Sequence, residues 1–360
     1  MFENINIRRV LIAPLDWGLG HATRCIPIIH ALLANGYEVV IAADGVPAVL
    51  LAKEFPNIKS LTLVGYEIKY AKTGAGLFWQ LLKQLPRIVQ TISTENAWLQ
   101  KIIVSEKIDL VISDNRFGLH TKLVPCIFIT HQLTIKAPLV WVEKILQKIN
   151  YYFINQYAVC WVPDIAGAIN LAGELSHPIV MPKIPVKYIG LLSRLENNNY
   201  AIEFQYCFLL SGPEPQRTVL EKKLVASIGA LPGKALLVRG LPGSNKELMA
   251  PLNTTVYNHL PTHQLSKMIC ASEMIICRSG YSTIMELVRL QKKAVLIPTP
   301  GQTEQVYLAK KLAATNWFYS ADQTSLNVFT QINEALYQSY SIPDFHFFHS
   351  NDLPALLREG

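Results

Sequence analysis

A glycine-flanked histidine near the start of the chain is the first residue whose type and setting suit chemistry. The segment LIAPLDWGLGHATR runs from an apolar strand pattern through Gly18, Gly20 and His21 into a helical pattern. Glycines allow a tight turn and a close approach to the backbone, and the free N–H groups at a helix start favour negative charge. An imidazole placed there can act as a general base. We therefore predict a catalytic role for His21, with packing or capping inside the loop as the alternative.

Asp114 ends a second apolar strand pattern, KIDLVISD, and is the predicted partner of this histidine. Parallel strands place their carboxyl ends on one edge of a sheet, so Asp114 and His21 should share that edge. A carboxylate can accept a hydrogen bond from one imidazole nitrogen and leave the other free as the base. The alternative is an aspartate that caps the next turn. His131 ends the following strand in the same way and is a further candidate for the site.

Two loops in the second half of the chain have the composition of phosphate-binding turns. The segment CFLLSGPEPQR places Ser211 and Gly212 after a strand, and EMIICRSGYST places Arg278, Ser279 and Gly280 between a strand and a helix. A guanidinium group, small hydroxyl side chains and backbone N–H groups at a helix start are suited to an anion. Read alone, the first of these loops is a weak signal.

A third loop in this half suits the recognition of hydroxyl groups. The segment AVLIPTPGQTEQ carries Gln302, Glu304 and Gln305 just before a helical pattern. Clustered amides and a carboxylate can hydrogen-bond the hydroxyls of a sugar. An ordinary surface loop explains the same residues equally well when this segment is read alone.

The elements that must position these loops alternate between apolar strands and amphipathic helices. Continuous apolar strands between helices are typical of parallel sheets covered on both faces. The alternation weakens in a segment rich in Pro and Asn, which we interpret as a linker. We therefore predict an α/β fold with two doubly wound parallel-sheet domains facing each other across a cleft. The predicted parts are residues 1–165, the linker 166–203, the second domain 204–340 and a segment 341–360 that packs back on the first domain.

Composition excludes several classes of protein. The chain has 360 residues, 50% of them hydrophobic and 16% charged, so a large core is possible and disorder is excluded. No apolar run approaches the roughly 18 residues of a spanning helix. The six cysteines include no CxxC pair, and we expect small buried thiols in a reducing cytoplasm. Thr23 stands where the dinucleotide fingerprint GxGxxG requires its last glycine, which argues against a nicotinamide cofactor.

The positive charge is concentrated in one part of the chain. Residues 51–150 hold 13 Lys and Arg against 7 Asp and Glu, while the whole chain holds 33 against 26. Within it, LFWQLLKQLPRIVQ and APLVWVEKILQKINYYF mix apolar and basic residues. This composition suits peripheral docking on an anionic membrane, and a pair of buried amphipathic helices is the alternative. The basic residues are dispersed and no nucleic-acid reader motif occurs, so nucleic acid is not an expected partner.

Together these segments resemble the GT-B glycosyltransferases, and in particular glycosyltransferase family 28, which includes the N-acetylglucosaminyltransferase that completes lipid II. The most specific part is residues 270–312, where Glu286 follows the Cys-Arg-Ser-Gly turn by six residues after the glycine, and a Pro-rich loop ends in glutamine. The resemblance implies a GT-B fold of two Rossmann-like domains. It also implies inverting transfer of a sugar, such as N-acetylglucosamine or another hexose, from a UDP-sugar to an acceptor hydroxyl, for which a lipid-linked molecule is one candidate. No cofactor is implied, and the absence of a DxD motif means that no metal is required.

The resemblance also implies roles for particular residues. Glu286 would hold the ribose hydroxyls of the donor, and Gln305, with Glu304 beside it and Gln302 in the same loop, would read the sugar. The backbone at Leu260 would pair with uracil. The diphosphate would be held by the two remaining loops, Ser211, Gly212, Arg278, Ser279 and Gly280.

On the other side of the predicted cleft, the loop Gly18-Leu19-Gly20-His21 resembles the glycine-rich loop that faces acceptor and donor phosphates, and His21 falls at the position of the base. Two departures from the family pattern concern the phosphate loops: Asp16-Trp17 replace glycines in the first, and Leu210-Ser211-Gly212 stand where Gly-Gly-Ser is usual. The segment GLGHATRC also resembles the UDP-sugar hydrolase of pseudaminic acid biosynthesis, which gives the sugar to water. The remaining alternative is a non-catalytic nucleotide-sugar-binding protein.

Overall fold

The structure is a computed structural model that describes residues 6–66, 74–137 and 139–358. Within the long helix that begins at Gly74, the side chains of residues 74–83 and 85 lie outside this description.

The first domain contains a seven-stranded sheet in which every pairing is parallel, with the strand order β3-β2-β1-β4-β5-β6-β7. Helices connect most of its strands, as the alternating pattern predicts. The elements in chain order are β1 (Arg9–Pro14), α1 (Leu19–Ala34), β2 (Glu38–Ala43), α2 (Gly45–Glu54), β3 (Lys59–Thr62), α3 (Gly74–Glu106), β4 (Leu110–Asp114), β5 (Cys126–Ile129), α4 (Val140–Ile154), β6 (Val159–Val162), a 3₁₀ turn (Gly173–Leu175) and β7 (Val186–Tyr188).

The second domain contains a six-stranded parallel sheet with the order β10-β9-β8-β11-β12-β13. Its elements are β8 (Phe204–Leu209), α5 (Gln216–Ile228), β9 (Ala235–Val238), β10 (Thr254–Tyr257), α6 (Thr262–Cys270), β11 (Ser272–Cys277), α7 (Tyr281–Arg289), β12 (Ala294–Leu296), α8 (Thr303–Ala314), β13 (Tyr319–Ser320) and α9 (Val328–Tyr337). A 3₁₀ turn (Ser350–Asp352) and α10 (Leu353–Arg358) follow.

The unbroken apolar strands follow from this layering. In β1, Val10 and Ile12 belong to one buried cluster, while Leu11 and Ala13 belong to another on the opposite face. Successive side chains of a strand point to opposite faces, so a strand covered by helices on both sides needs apolar residues at every position. The predicted fold of two doubly wound parallel sheets is confirmed.

The segment 166–203, predicted as a linker, contributes to the first sheet. Its strand β7 pairs with β6, with Cys160 opposite Val186. A strand of three residues is too short to give a clear apolar pattern, so its sequence is dominated by the flanking prolines. The first sheet therefore continues well beyond residue 165, and the connection to the second domain is shorter than predicted.

The C-terminal segment contacts the first domain. The side-chain amide of Asn35, at the end of α1, donates to the carbonyl of Ser350 at 2.9 Å. Phe347 forms an isolated bridge with Leu191. These contacts are of the kind expected for a segment that packs back on the first domain.

The six cysteines all lie in the described part of the chain, where each is buried and none forms a disulfide. Within the described residues, no helix combines the length and the apolar character that crossing a membrane requires.

Candidate functional site

Both domains place their predicted site loops where the strand order reverses. In the first sheet β1 lies beside β4, and in the second β8 lies beside β11, so each pair marks the point at which the chain turns from one side of the sheet to the other. Ligands of open α/β sheets bind beyond the carboxyl ends of the strands at this point. The loops after β1, β4, β8 and β11 therefore occupy the favoured positions.

His21 and Asp114 are in contact, as the sequence predicts. His21 lies in the first turn of α1 and Asp114 is the last residue of β4, and Nδ1 of the imidazole lies 2.9 Å from Oδ1 of the carboxylate. Gly18, the residue before the helix, has φ +82° and ψ −174°, a conformation that is essentially restricted to glycine. This glycine allows the chain to leave β1 and begin α1 with the imidazole above the sheet edge.

Arg24 lies at the centre of the same cluster, although the sequence analysis did not select it. It is three residues after His21 on α1 and only 2% exposed. Its Nε donates to Oδ2 of Asp114 at 2.5 Å, and its Nη2 donates to Oδ1 of the same carboxylate. Its other contacts are with imidazoles: Nη1 lies 3.0 Å from Nδ1 of His131, and Nη2 lies 2.9 Å from Nδ1 of His21.

His131 extends the cluster to the second domain. Its Nε2 lies 2.8 Å from Oε1 of Glu304 at the start of α8. Its ring stacks on Tyr281, the first residue of α7, with centroids 4.1 Å apart. A chain of polar contacts thus runs from the predicted base, through Asp114 and Arg24, to the carboxylate that the family resemblance assigns to the sugar.

The charges of the cluster act on one another. Burial would raise the pKa of Asp114, but Arg24 and His21 outweigh it and hold that pKa well below its usual range. Burial, and next the charge of Arg24, lower the pKa of His21, although Asp114 acts in the opposite direction. Burial would also raise the pKa of Glu304, but His131 outweighs it, so this pKa is lowered too. At neutral pH the cluster therefore holds two carboxylates, one guanidinium and a neutral His21.

The starts of α1 and α7 approach each other across the cleft. The hydroxyl of Ser282 donates to the carbonyl of Gly20 at 2.8 Å. A Cβ atom on Gly20 would lie 3.2 Å from that hydroxyl oxygen, which is tighter than most contacts. Gly20 therefore serves the approach of the second domain in this structure.

The turn after β11 uses its side chains inside the protein. Arg278 is 1% exposed, and its guanidinium donates to the carbonyls of Ile297, Pro298 and Gln216, while its Nε atom finds no partner among the residues that the structure describes. The hydroxyl of Ser279 donates to the carbonyl of Gln305 at 2.9 Å. Gly280, which precedes α7, has open space around its Cβ position. A phosphate at this turn would meet backbone N–H groups, with the charge of Arg278 behind them.

The other predicted donor loops are also at strand ends. Gly212, after β8, has φ +102° and no atom within 4 Å of its Cβ position, so its backbone is open to a ligand. Leu260 is buried and lies two residues before α6. Both positions fit the edge of the sheet at which the family resemblance places the nucleotide.

Glu286 has a basic partner that the sequence analysis missed. The Nε atom of Arg194 lies 2.8 Å from Oε1 of Glu286, and both side chains are less than 10% exposed. Arg194 also donates to the hydroxyl of Thr262 at 3.4 Å, and this hydroxyl donates to Glu54 of the first domain at 2.9 Å. The predicted ribose ligand is therefore part of a network that includes residues of both domains.

The glutamines of the third loop form a structural set of contacts. The amide oxygen of Gln305 accepts from the backbone N–H of Thr299 at 2.8 Å, and its amide nitrogen donates to the side-chain oxygen of Gln302. These bonds hold the turn between β12 and α8. In this structure the side chains of Thr303 and Glu304 contact the first domain, whereas that of Gln305 is turned back to its own loop.

Sequence reasoning thus missed Arg24 and Arg194. The signal for Arg24 was a charge inside an apolar helical stretch, on the same helix face as His21 because the two are three residues apart. Arg194 had no such signal, since it lies in a segment without a regular pattern.

The comparisons with known proteins agree with this architecture. Residues 242–347 match the model of the glycosyltransferase family 28 C-terminal domain. The segment that carries the predicted resemblance, 270–312, lies inside this match. A UDP-N-acetylglucosamine--N-acetylmuramyl-(pentapeptide) pyrophosphoryl-undecaprenol N-acetylglucosamine transferase of Desulforudis audaxviator (strain MP104C) is 36% identical over 75 residues. That alignment spans 20% of this chain and 20% of the relative.

Solved structures match over nearly the whole chain. The glycotransferase of kitacinnamycin superposes with a TM-score of 0.64 at 16% identity, covering 98% of this chain and 95% of that one. MurG of Acinetobacter baumannii superposes with a TM-score of 0.55 at 14% identity, covering 98% and 100%. The chain has the GT-B fold. At these identities the likeness shows the GT-B fold alone, while the match over residues 242–347 confirms the resemblance to family 28 for that part of the second domain.

Proposed function

We propose that this GT-B protein is an inverting glycosyltransferase that moves a sugar from a UDP-sugar to an acceptor hydroxyl without a metal. The observation that carries the proposal is the contact between His21 and Asp114 at the start of α1, facing a domain that matches family 28. A UDP-sugar is favoured because the relative of Desulforudis audaxviator, which is 36% identical over 75 residues, is named for UDP-N-acetylglucosamine. The name of this relative also describes a lipid-linked acceptor, which we propose here too.

In the proposed reaction His21 is the general base. Its Nδ1–H donates to Asp114, which leaves Nε2 with a lone pair. As the acceptor oxygen forms its bond to the anomeric carbon, its proton moves to Nε2 of His21. The bond from that carbon to the diphosphate breaks, and its electron pair leaves with UDP. A single displacement of this kind inverts the configuration at the anomeric carbon.

The second domain would stabilise the departing diphosphate. The loops at Gly212 and Gly280 present backbone close to the starts of α5 and α7, where helix N-termini favour negative charge. Arg278 adds a buried positive charge behind the second loop. Glu286 would hold the ribose by exchanging its contact with Arg194 for hydrogen bonds from the ribose hydroxyls.

A binding experiment tests the donor assignment before any acceptor is known. UDP, GDP, dTDP, CMP and ADP are each titrated to millimolar concentration in a thermal-shift assay. A ligand that binds only the folded state raises the melting temperature. We expect a shift selective for UDP that is reduced in Glu286→Ala. No shift with any nucleotide would contradict the donor assignment.

An activity experiment then tests transfer. UDP release from UDP-N-acetylglucosamine, UDP-glucose and UDP-galactose is measured with a bacterial lipid extract, with and without EDTA. We expect release that depends on the extract and resists EDTA, and an anomeric configuration in the product opposite to that in the donor. Loss of activity with EDTA, restored by a divalent cation, would contradict metal independence.

Hydrolysis of a UDP-sugar is the second candidate function, because the segment GLGHATRC supplies two residues of the cluster. Both His21 and Arg24 of this segment contact Asp114, so the base machinery is the same for water and for an acceptor. Release of free sugar from the donor at an undiminished rate without any lipid would favour the hydrolase. Tight UDP binding with neither activity would favour a binding protein.

The surface of α4 supports contact with an anionic membrane. One stripe of this helix is exposed and apolar, and consists of Trp141, Ile145, Ile149 and Tyr152. Exposed Lys144 and Lys148 lie beside it. The adjoining loop adds exposed residues 179–181, and Tyr151 of α4 holds it by a hydrogen bond to the carbonyl of Val180. The alternative of a buried amphipathic helix does not hold for this stripe. The other predicted docking segment, 77–90, lies mostly outside the described side chains.

Sedimentation with vesicles tests this surface. Vesicles of phosphatidylglycerol and phosphatidylcholine are compared with pure phosphatidylcholine at low and high salt. We expect salt-sensitive binding to the anionic vesicles that is lost in Ile145→Glu. Leu252→Glu is the matched control, since Leu252 is fully exposed on the second domain. Equal binding by both variants, or none by the wild type, would contradict membrane docking.

A further inference from the structure

Arg24 is a buried cation at the centre of the cluster, and Glu304 is joined to it through His131. Arg24 donates twice to the carboxylate of Asp114 and approaches both imidazoles. A guanidinium that meets a carboxylate through two nitrogens forms a strong, directional pair. Nothing in the proposed chemistry requires such a residue, because a histidine and an aspartate already supply a base and its orientation.

The geometry around Nδ1 of His21 shows what the arginine does. This nitrogen lies 2.9 Å from both Oδ1 of Asp114 and Nη2 of Arg24. An ionised carboxylate can only accept and a guanidinium can only donate. We assign the proton to Nδ1, because the ionised Asp114 can only accept from it; Nη2 of Arg24 then donates to Asp114 and not to this nitrogen, and Nε2 of His21 keeps its lone pair. A second proton on the ring would create an imidazolium cation against the guanidinium.

We propose that Arg24 is a positioning residue that keeps His21 in the neutral, Nδ1-protonated form needed for a base; this inference rests on the proposed role of His21. In a pair of His21 and Asp114 without the arginine, the carboxylate would favour the imidazolium form of His21, which cannot act as a base near neutral pH. The positive charge of Arg24 offsets the negative charge of Asp114, and the ionised carboxylate can still accept a hydrogen bond from Nδ1. The pair therefore orients the imidazole without charging it.

The other groups around His21 do not replace this effect. Burial lowers the pKa of His21 most, and the charge of Arg24 comes next; Asp114 on β4 acts in the opposite direction, and His131 after β5 acts in the same direction as Arg24 but less strongly. Glu304 on α8 is bound to His131. Tyr281 on α7 is a neutral phenol, because burial raises its pKa well above the ordinary value. Among these groups, Arg24 is thus the permanent cation that counters the effect of Asp114 on His21.

The test compares Arg24→Met, which removes the charge, with Arg24→Lys, which keeps it. His21 is titrated by NMR of the imidazole protons in the protein without substrate, with His21→Ala used to assign the signal. We expect the pKa of His21 to rise by about 1–2 units in Arg24→Met and to stay near the wild-type value in Arg24→Lys. An unchanged pKa in Arg24→Met would overturn the inference.

The pH profile of kcat/KM supplies a second readout. The base works above its pKa, so a raised pKa moves the acidic limb of the profile to higher pH. Arg24→Met should lose activity near neutral pH and recover much of it at alkaline pH. A purely structural role would lower the rate equally at all pH values and leave the limb in place, which would contradict the inference. Arg116→Met is the matched control for burial, since Arg116 is also a buried arginine paired with one carboxylate, Glu95.

A second comparison removes the carboxylate of Asp114 and so tests the effect of the arginine alone. The variant Asp114→Asn is compared with the double variant Asp114→Asn, Arg24→Met. The two differ only at position 24, and the double variant removes both partners of the buried ion pair. The pKa of His21 should be higher in the double variant, and an equal value would overturn the inference. Because the NMR titration needs no substrate, a shifted pKa without any sugar transfer would contradict the proposed function and leave the role of Arg24 standing.

Discussion

The two domains each bury an arginine where the strand order reverses, and the two arginines are treated differently. Arg24 is paired with Asp114, and although burial opposes its charge, the carboxylate raises its pKa. Among the described residues, the hydrogen-bond partners of Arg278 are all carbonyls, with no carboxylate, and burial lowers its pKa to about 10. A buried charge without a counter-charge is costly. The first domain neutralises its cation internally, while the second keeps a positive charge that an anionic ligand can use.

This difference matches the chemistry proposed for each side. The base side must remain free of net positive charge, since an imidazolium cannot accept a proton. The donor side must stabilise a diphosphate whose negative charge increases as the sugar leaves. A carboxylate beside Arg278 would weaken that stabilisation, whereas the one beside Arg24 is needed.

The largest expected effect comes from Asp114→Asn, which would leave Arg24 as unpaired as Arg278. Removing one partner of a buried ion pair costs about 3–5 kcal/mol of folding free energy, and the loss of orientation at His21 should lower the transfer rate by about 10²–10⁴-fold. Urea denaturation and initial rates measure the two effects.

His21→Ala separates these effects. It should lower the transfer rate to a similar degree while costing little stability, because no buried charge loses its partner. Full transfer activity in His21→Ala would show that another group is the base.

The sequence predicted the parts of this comparison that are local, and missed those that depend on distant partners. His21 and Asp114 were found because each follows an apolar strand, and the carboxyl ends of parallel strands share an edge. Arg24 was missed because a charge on an amphipathic helix is ordinarily solvated, and its burial depends on a carboxylate 90 residues away. That Arg278 neutralises a phosphate, while Ser279 and Gly280 offer it backbone donors, stays a prediction; the side chains of Arg278 and Ser279 themselves are buried. In this structure those side chains hold neighbouring loops, a detail that spacing alone does not reveal.

A smaller effect is expected from Arg278→Met, which removes the charge from the donor side. The variant should bind UDP about 10–100-fold more weakly, since hydrogen bonds and contacts with charged groups contribute about 1.5–3 kcal/mol. Its affinity for uridine, which lacks the diphosphate, should change little. Isothermal titration with both ligands measures the difference, and an equal loss for uridine would mean that Arg278 shapes the loop without acting on the phosphates.

The smallest effect concerns the junction between the two regions, where Gly20 meets Ser282. The added methyl group of Gly20→Ala would lie 3.2 Å from the Ser282 hydroxyl, so the starts of α1 and α7 must separate slightly. Because a serine side chain can rotate, we expect a stability loss below about 1 kcal/mol. The catalytic rate should fall more than the stability does, since a small displacement of reacting groups is amplified in the rate. In Gly20→Ala combined with Ser282→Ala, the contact is relieved and the rate should recover. A loss that persists in the double variant would place the role of Gly20 in direct contact with a ligand, as the family resemblance implies, and not in the approach of the two helices.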